Sequence, residues 1–114
     1  MRVRPPAVAG SFYPADPALL RELVDRLLAE AKRPCADARV PKALIAPHAG
    51  YVYSGPIAAS IYARLEGWRG RIRRVLLLGP AHRVAVRGLA IPSVEAFATP
   101  LGRVAIDREA LDRA

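Results

Sequence analysis

At 114 residues the chain has room for one small domain. Its 53% hydrophobic content fits a folded core and argues against disorder. A single cysteine, Cys35, excludes an internal disulfide and fits a reducing compartment, so the expected location is cytoplasmic. No apolar run approaches the roughly 20 residues of a membrane helix, and no apolar stretch follows Arg2 and Arg4 as a signal peptide requires. The net charge of +8 raises nucleic acid as a partner. The cations, however, are spread from Arg2 to Arg113, and only Arg69, Arg71, Arg73 and Arg74 cluster. No aromatic residue alternates with that cluster as a strand-stacking surface demands, so a solvated basic surface is the expected outcome.

Taken in chain order, Pro5, Pro6, Gly10 and Pro14 predict an extended or turning opening segment. Asp16-Pro17 supplies an N-cap and a proline for the first helical position. Leu19, Leu20, Leu23, Val24, Leu27 and Leu28 then follow at helical spacing, and Pro34 should end that helix. A loop from Arg33 to Pro41 holds Cys35. Ala43-Leu44-Ile45-Ala46 reads as a short buried parallel strand stopping at Pro47-His48. Ser54-Gly55-Pro56 opens a second helix carrying Ile57, Ile61, Tyr62 and Leu65, with Gly67 just past its end. A second apolar strand, Val75–Leu78, stops at Gly79-Pro80-Ala81-His82. Strand, helix and strand in this order predict a βαβ unit with a right-handed crossover. A short strand at Leu89–Ile91 and a turn at Pro100-Leu101-Gly102 come next, and the chain then passes through Val104–Ile106 to a helix capped by Asp107. The fold class expected is α/β, with a βαβ-containing, mostly parallel sheet flanked by helices. Because the last residues stop early in a helix, residues 1–114 are read as a truncated part of a larger single domain, whose exposed sheet edge would favour self-association.

His48 and His82 are the only histidines, and each follows an apolar run and a proline. Proline holds the residue before it extended and donates no hydrogen bond, which suits a chain leaving the carboxyl end of a strand. Open parallel sheets bind ligands outside those ends. Two imidazoles on adjacent strands would converge on one ion or substrate, whereas separately each would cap local backbone groups. Imidazole serves iron, copper, zinc or nickel and is also the usual general acid or base near neutral pH. Catalytic metal centres usually take three protein ligands. Asp107, Glu95 and Cys35 carry suitable atoms, but no spacing recommends any of them. Tyr13, Tyr51 and Tyr53, with Phe12, provide amphipathic rings for a substrate pocket or for ordinary loop packing.

Together, Gly10-Ser11-Phe12-Tyr13-Pro14, Ala46-Pro47-His48-Ala49-Gly50-Tyr51, Tyr53-Ser54-Gly55 and Leu78-Gly79-Pro80-Ala81-His82 resemble the N-terminal portion of the Memo family, also known as AmmeMemoRadiSam system protein B. The resemblance continues through Phe97-Ala98-Thr99-Pro100-Leu101-Gly102 and Ile106-Asp107. It implies a fold similar to class III extradiol dioxygenases, which are non-haem iron enzymes. It also implies that His48 and His82 are metal or active-site ligands, joined by a cysteine from beyond residue 114. Where some relatives have consecutive histidines this chain has His82-Arg83, so Arg83 inherits no ligand role. The family is linked to iron or copper redox chemistry, to phosphopeptide binding and to companion radical S-adenosylmethionine proteins. The functional expectation is therefore an iron- or copper-dependent, oxygenase-like site with Tyr13, Tyr51 and Tyr53 lining the approach of a small molecule or peptide. The alternative is a non-catalytic module that binds an acidic or phosphorylated peptide in the same crevice, with Arg83 contributing.

Overall fold

The computed structural model describes residues 1–33 and 39–114. Its elements in chain order are β1 (Val3–Arg4), α1 (Pro17–Glu30), α2 (Tyr51–Tyr62), a 3-10 segment (Ala63–Trp68), β2 (Ala96–Thr99), β3 (Gly102–Ala105) and α3 (Arg108–Arg113). They fall into two units, one formed by Ala7–Ile72 and the other by Met1–Pro6 with Arg73–Ala114. The α/β class is as the sequence predicts. No helix among the described residues is long and apolar enough to cross a membrane.

In the Ala7–Ile72 unit, α1 starts where its cap predicts. Asp16 accepts a hydrogen bond from the Leu19 amide at 2.9 Å, and Pro17 occupies the first turn, where its missing N–H costs nothing. Leu20 is buried and Leu23, Val24, Leu27 and Leu28 are half-buried, whereas Leu19 leaves the expected stripe and is exposed. The helix ends at Glu30, and Pro34 and Cys35 lie outside the described residues. Arg33 gathers the neighbouring ends. Its guanidinium donates to the Leu28 carbonyl of α1 at 3.2 Å and to the Ala63 carbonyl at 3.4 Å, and it pairs with Glu66 at 2.7 Å. The hydrogen bond from Arg33 holds the Glu66 carboxyl below its ordinary range.

The second helix starts at Tyr51, three residues before the Ser54-Gly55-Pro56 opening expected, and its N-cap is Gly50. Ser54 is buried inside the helix, where its hydroxyl donates back to the Ala49 carbonyl at 2.8 Å. Pro56 is also internal and leaves the Val52 carbonyl without its usual i+4 donor. Helix α2 ends at Tyr62, and the 3-10 segment takes Leu65 and Gly67. The two helices meet through Gly55, where an added Cβ would lie 3.0 Å from a methyl of Leu27. Ala59 and Ala63, further along the chain, are buried as well.

In the other unit, β2 and β3 form an antiparallel hairpin with Ala96 opposite Ala105 and Thr99 opposite Gly102. The turn is Pro100-Leu101, as expected, and Gly102 takes φ +139°, a region that favours glycine. The Thr99 hydroxyl accepts from the Leu101 amide and donates to the Gly102 carbonyl, both at 3.1 Å. Strand β1 pairs with β2 in parallel, Val3 opposite Ala96, giving the order β1-β2-β3. The Arg4 guanidinium lies over the Phe97 ring at 5.8 Å. The sheet is thus mixed, and its one parallel pair is joined by a connection containing α1 and α2.

The expected strands Ala43–Ala46, Val75–Leu78 and Leu89–Ile91 are not formed among the described residues. An apolar run becomes a strand only where a neighbour accepts its ladder hydrogen bonds, and the three-stranded sheet does not reach these runs. The predicted βαβ unit, which needed the first two of them, is consequently absent. The third strand forms over Gly102–Ala105, its register with β2 set by the two-residue turn.

Replacing Asp16 by Ala should lower stability by about 1 kcal/mol, the worth of a side-chain N-cap, as read by urea unfolding. Gly55→Leu forces a side chain into the Leu27 contact and should cost about 1–3 kcal/mol. An unchanged unfolding midpoint for Gly55→Leu would contradict the close helix approach.

Candidate functional site

Gly10, with φ +86°, makes the turn that positions the opening motif. Its amide donates to the Tyr13 carbonyl at 2.7 Å, while the Ser11 and Phe12 amides share the Val8 carbonyl at 3.1 and 2.9 Å. The Phe12 carbonyl then accepts from the Tyr51 amide at 2.8 Å. This amide belongs to the first turn of α2, whose N–H groups have no partner inside the helix. The Tyr13 and Tyr51 rings lie 5.6 Å apart with planes inclined at 44°. Two motifs nearly 40 residues apart, Gly10–Pro14 and Ala46–Tyr51, are therefore joined by a main-chain hydrogen bond and a ring pair.

His48 is exposed, two residues ahead of the Gly50 cap, on the segment that this bond anchors. Tyr53 is 84% exposed and contributes no packed wall, unlike half-buried Tyr13 and Tyr51. His82 is exposed on the extended stretch after Pro80 in the other unit. An open groove beside Leu27, Ile57, Ile61 and Arg64 includes none of the expected site residues in its lining.

Among the described residues, no group of three His, Cys, Asp or Glu side chains is placed to hold a metal. Both carboxylates considered as a third ligand have structural tasks. Asp107 caps α3 by accepting from the Ala110 amide at 3.0 Å, and its other oxygen pairs with Arg74 at 3.0 Å. Glu95 accepts from the Arg2 amide at 2.7 Å and faces the terminal ammonium at 3.8 Å. In the basic cluster, Arg71 covers the Trp68 ring at 5.5 Å, so the nearest aromatic face is occupied from within the chain. Sequence reasoning missed that pair because Trp68 precedes the arginines and does not alternate with them. It also missed Arg33, whose role needs two carbonyls that no sequence pattern marks.

Burial raises the Tyr51 phenol above its ordinary value of 10.0, with the Tyr13 and Tyr62 phenols adding to the shift. The folded state thus disfavours the phenolate. The resulting stability is whole below the ordinary value and is lost as pH rises through the elevated one. Ultraviolet titration should show a tyrosine that ionises above pH 10.0 and disappears in Tyr51→Phe, while Tyr13→Phe should move it back toward that value. A late-ionising signal that persists in Tyr51→Phe would refute this placement.

Comparison with known proteins gives these motifs a context. The pattern of the family described as Memo-like protein matches residues 4–113. A MEMO1 family protein of Aquifex aeolicus is 43% identical over 109 residues, covering 96% of this chain and 38% of its own length. One from Pyrobaculum arsenaticum is 42% identical over 113 residues, with 94% and 40% covered. One from Methanothermobacter thermautotrophicus is 40% identical over 114 residues, again with 94% and 40% covered. The chain spans about 40% of the length of these relatives. With residues 4–113 matched, the chain belongs to the Memo-like family.

Proposed function

We propose that His48 and His82 are imidazole ligands of an iron or copper centre with redox or oxygenase-like chemistry. The reading rests on the joining of the Gly10–Pro14 and Ala46–Tyr51 motifs through the Phe12–Tyr51 hydrogen bond, which fixes the backbone next to His48. The family match, which runs through both histidine motifs, supports it. Neutral imidazole is a good donor for either metal. Asp107 and Glu95 are engaged elsewhere, and the third ligand that the family resemblance implies is a cysteine thiolate from beyond residue 114. When bound, the metal would supply redox chemistry. The chain's own share is to present two nitrogen donors and, through Tyr13 and Tyr51, a half-buried aromatic wall with hydroxyls that orient a substrate.

The test is anaerobic titration of the folded chain with Fe(II) and Cu(I), beside a His48→Ala/His82→Ala variant. The original chain should bind one equivalent, and the double variant should bind at least about tenfold more weakly, a loss of about 1.4 kcal/mol. Equal affinity in a folded double variant would remove the histidines from the metal site. Salt-sensitive binding of an acidic phosphopeptide that survives both substitutions would instead favour the non-catalytic module.

A further inference from the structure

Strand β3 is an outer strand of the β1-β2-β3 sheet, and all of Gly102–Ala105 is exposed. The direction of its main-chain groups follows from the hairpin. A two-residue turn is closed by a hydrogen-bonded pair, here Thr99 and Gly102, and bonded and non-bonded pairs then alternate along the ladder. The Ile106 amide, which donates to the Glu95 carbonyl at 2.9 Å, keeps the same phase. Gly102 and Val104 therefore turn their amides and carbonyls toward β2, whereas Arg103 and Ala105 turn theirs away from it. Among the described residues, neither the Arg103 nor the Ala105 amide has an acceptor. The opposite edge is not equivalent, because β1 has two residues and runs into Pro5-Pro6, which donate no hydrogen bonds.

We propose that the β3 edge is a self-association surface, to which a second copy of this chain adds its own β3 in antiparallel orientation. The residues themselves select the register. Only one two-fold arrangement pairs both outward-facing residues, with Arg103 of each copy opposite Ala105 of the other and both main-chain hydrogen bonds exchanged within each pair. Val104 then faces Val104 across the axis as a non-hydrogen-bonded pair, with Cα atoms about 4.5 Å apart. Val104 is 61% exposed in the single chain, and a β-branched residue favours such a cross-strand contact. The same register separates charge. A shifted register with Arg103 opposite Arg103, or a parallel pairing, would set guanidinium against guanidinium and is disfavoured. The ladder with β2 has no bulge and β3 has no proline, so the usual obstacles to edge pairing reduce to the charge of Arg103. The net charge of +8 on each copy opposes association and the edge is short, so the dimer is weak and concentration-dependent. This surface is independent of the metal reading.

The experiment follows the full 114-residue chain by sedimentation and by residue-resolved amide exchange, over a concentration series reaching about 1 mM. A dimer should appear as concentration rises. Exchange of the Arg103 and Ala105 amides should then slow at least about tenfold, while that of Val104 and Ile106, already turned toward β2, changes little. Val104→Lys and Val104→Glu, each at an exposed position, should both weaken the dimer at least about tenfold by setting like charges across the axis. An equimolar mixture of the two variants should restore it, because lysine then faces glutamate. The proposal is overturned if the chain stays monomeric throughout, or if it associates with Arg103 and Ala105 still exchanging freely, which would place the contact on another surface. Undiminished dimerisation of both variants, or a mixture no tighter than either variant alone, would overturn it as well.

Discussion

The hydrogen bond from the Tyr51 amide to the Phe12 carbonyl is the constraint on which the organisation of the Ala7–Ile72 unit depends. An amide in the first turn of a helix has no carbonyl four residues behind it and must find an acceptor elsewhere. Here the acceptor is on a turn made possible by the positive φ of Gly10. One bond therefore satisfies the helix start, holds the opening segment against it and brings two tyrosine rings together. Gly50 supplies no capping side chain, so the backbone of a distant segment does what a serine or aspartate does elsewhere.

A second economy is visible in the acidic residues. Asp107 and Glu95 both look like available ligands when read as letters, since a carboxylate is a donor to any hard or borderline cation. In the fold, each carboxylate has a cation and a main-chain amide as partners. The chain's cationic excess favours this outcome, because 10 acidic residues are set among 18 lysines and arginines.

Local chemistry was legible in the sequence, and pairing was not. Asp16-Pro17 and Asp107 announced their helices because a cap is a contact between residues three apart. Pro100-Leu101-Gly102 announced its turn for a similar reason. The start of α2 was misplaced because the decisive bond comes from Phe12, almost 40 residues earlier. Strand β2 was missed since Ala96–Thr99 lacks the aliphatic density that marked Val75–Leu78. It becomes a strand because β1 and β3 border it on either side. Of the three tyrosines grouped in the sequence, the fold brings the Tyr13 and Tyr51 rings together and leaves Tyr53 exposed. Residue type alone does not say which way a helical side chain faces when the helix is apolar all round, as α2 is.

The pairing of β1 with β2 also sets an order of events in folding. The β2–β3 hairpin closes across two turn residues and can form within about 1–10 μs. By contrast, β1 is made first and must wait for a partner 93 residues downstream, the separation of Val3 from Ala96. At about 5–20 residues per second on the ribosome, that wait is on the order of 5–20 s. Throughout it, β1 has no strand to pair with. The parallel ladder is thus the last part of its sheet to close, and its loop-closure entropy is met only after the hairpin is in place.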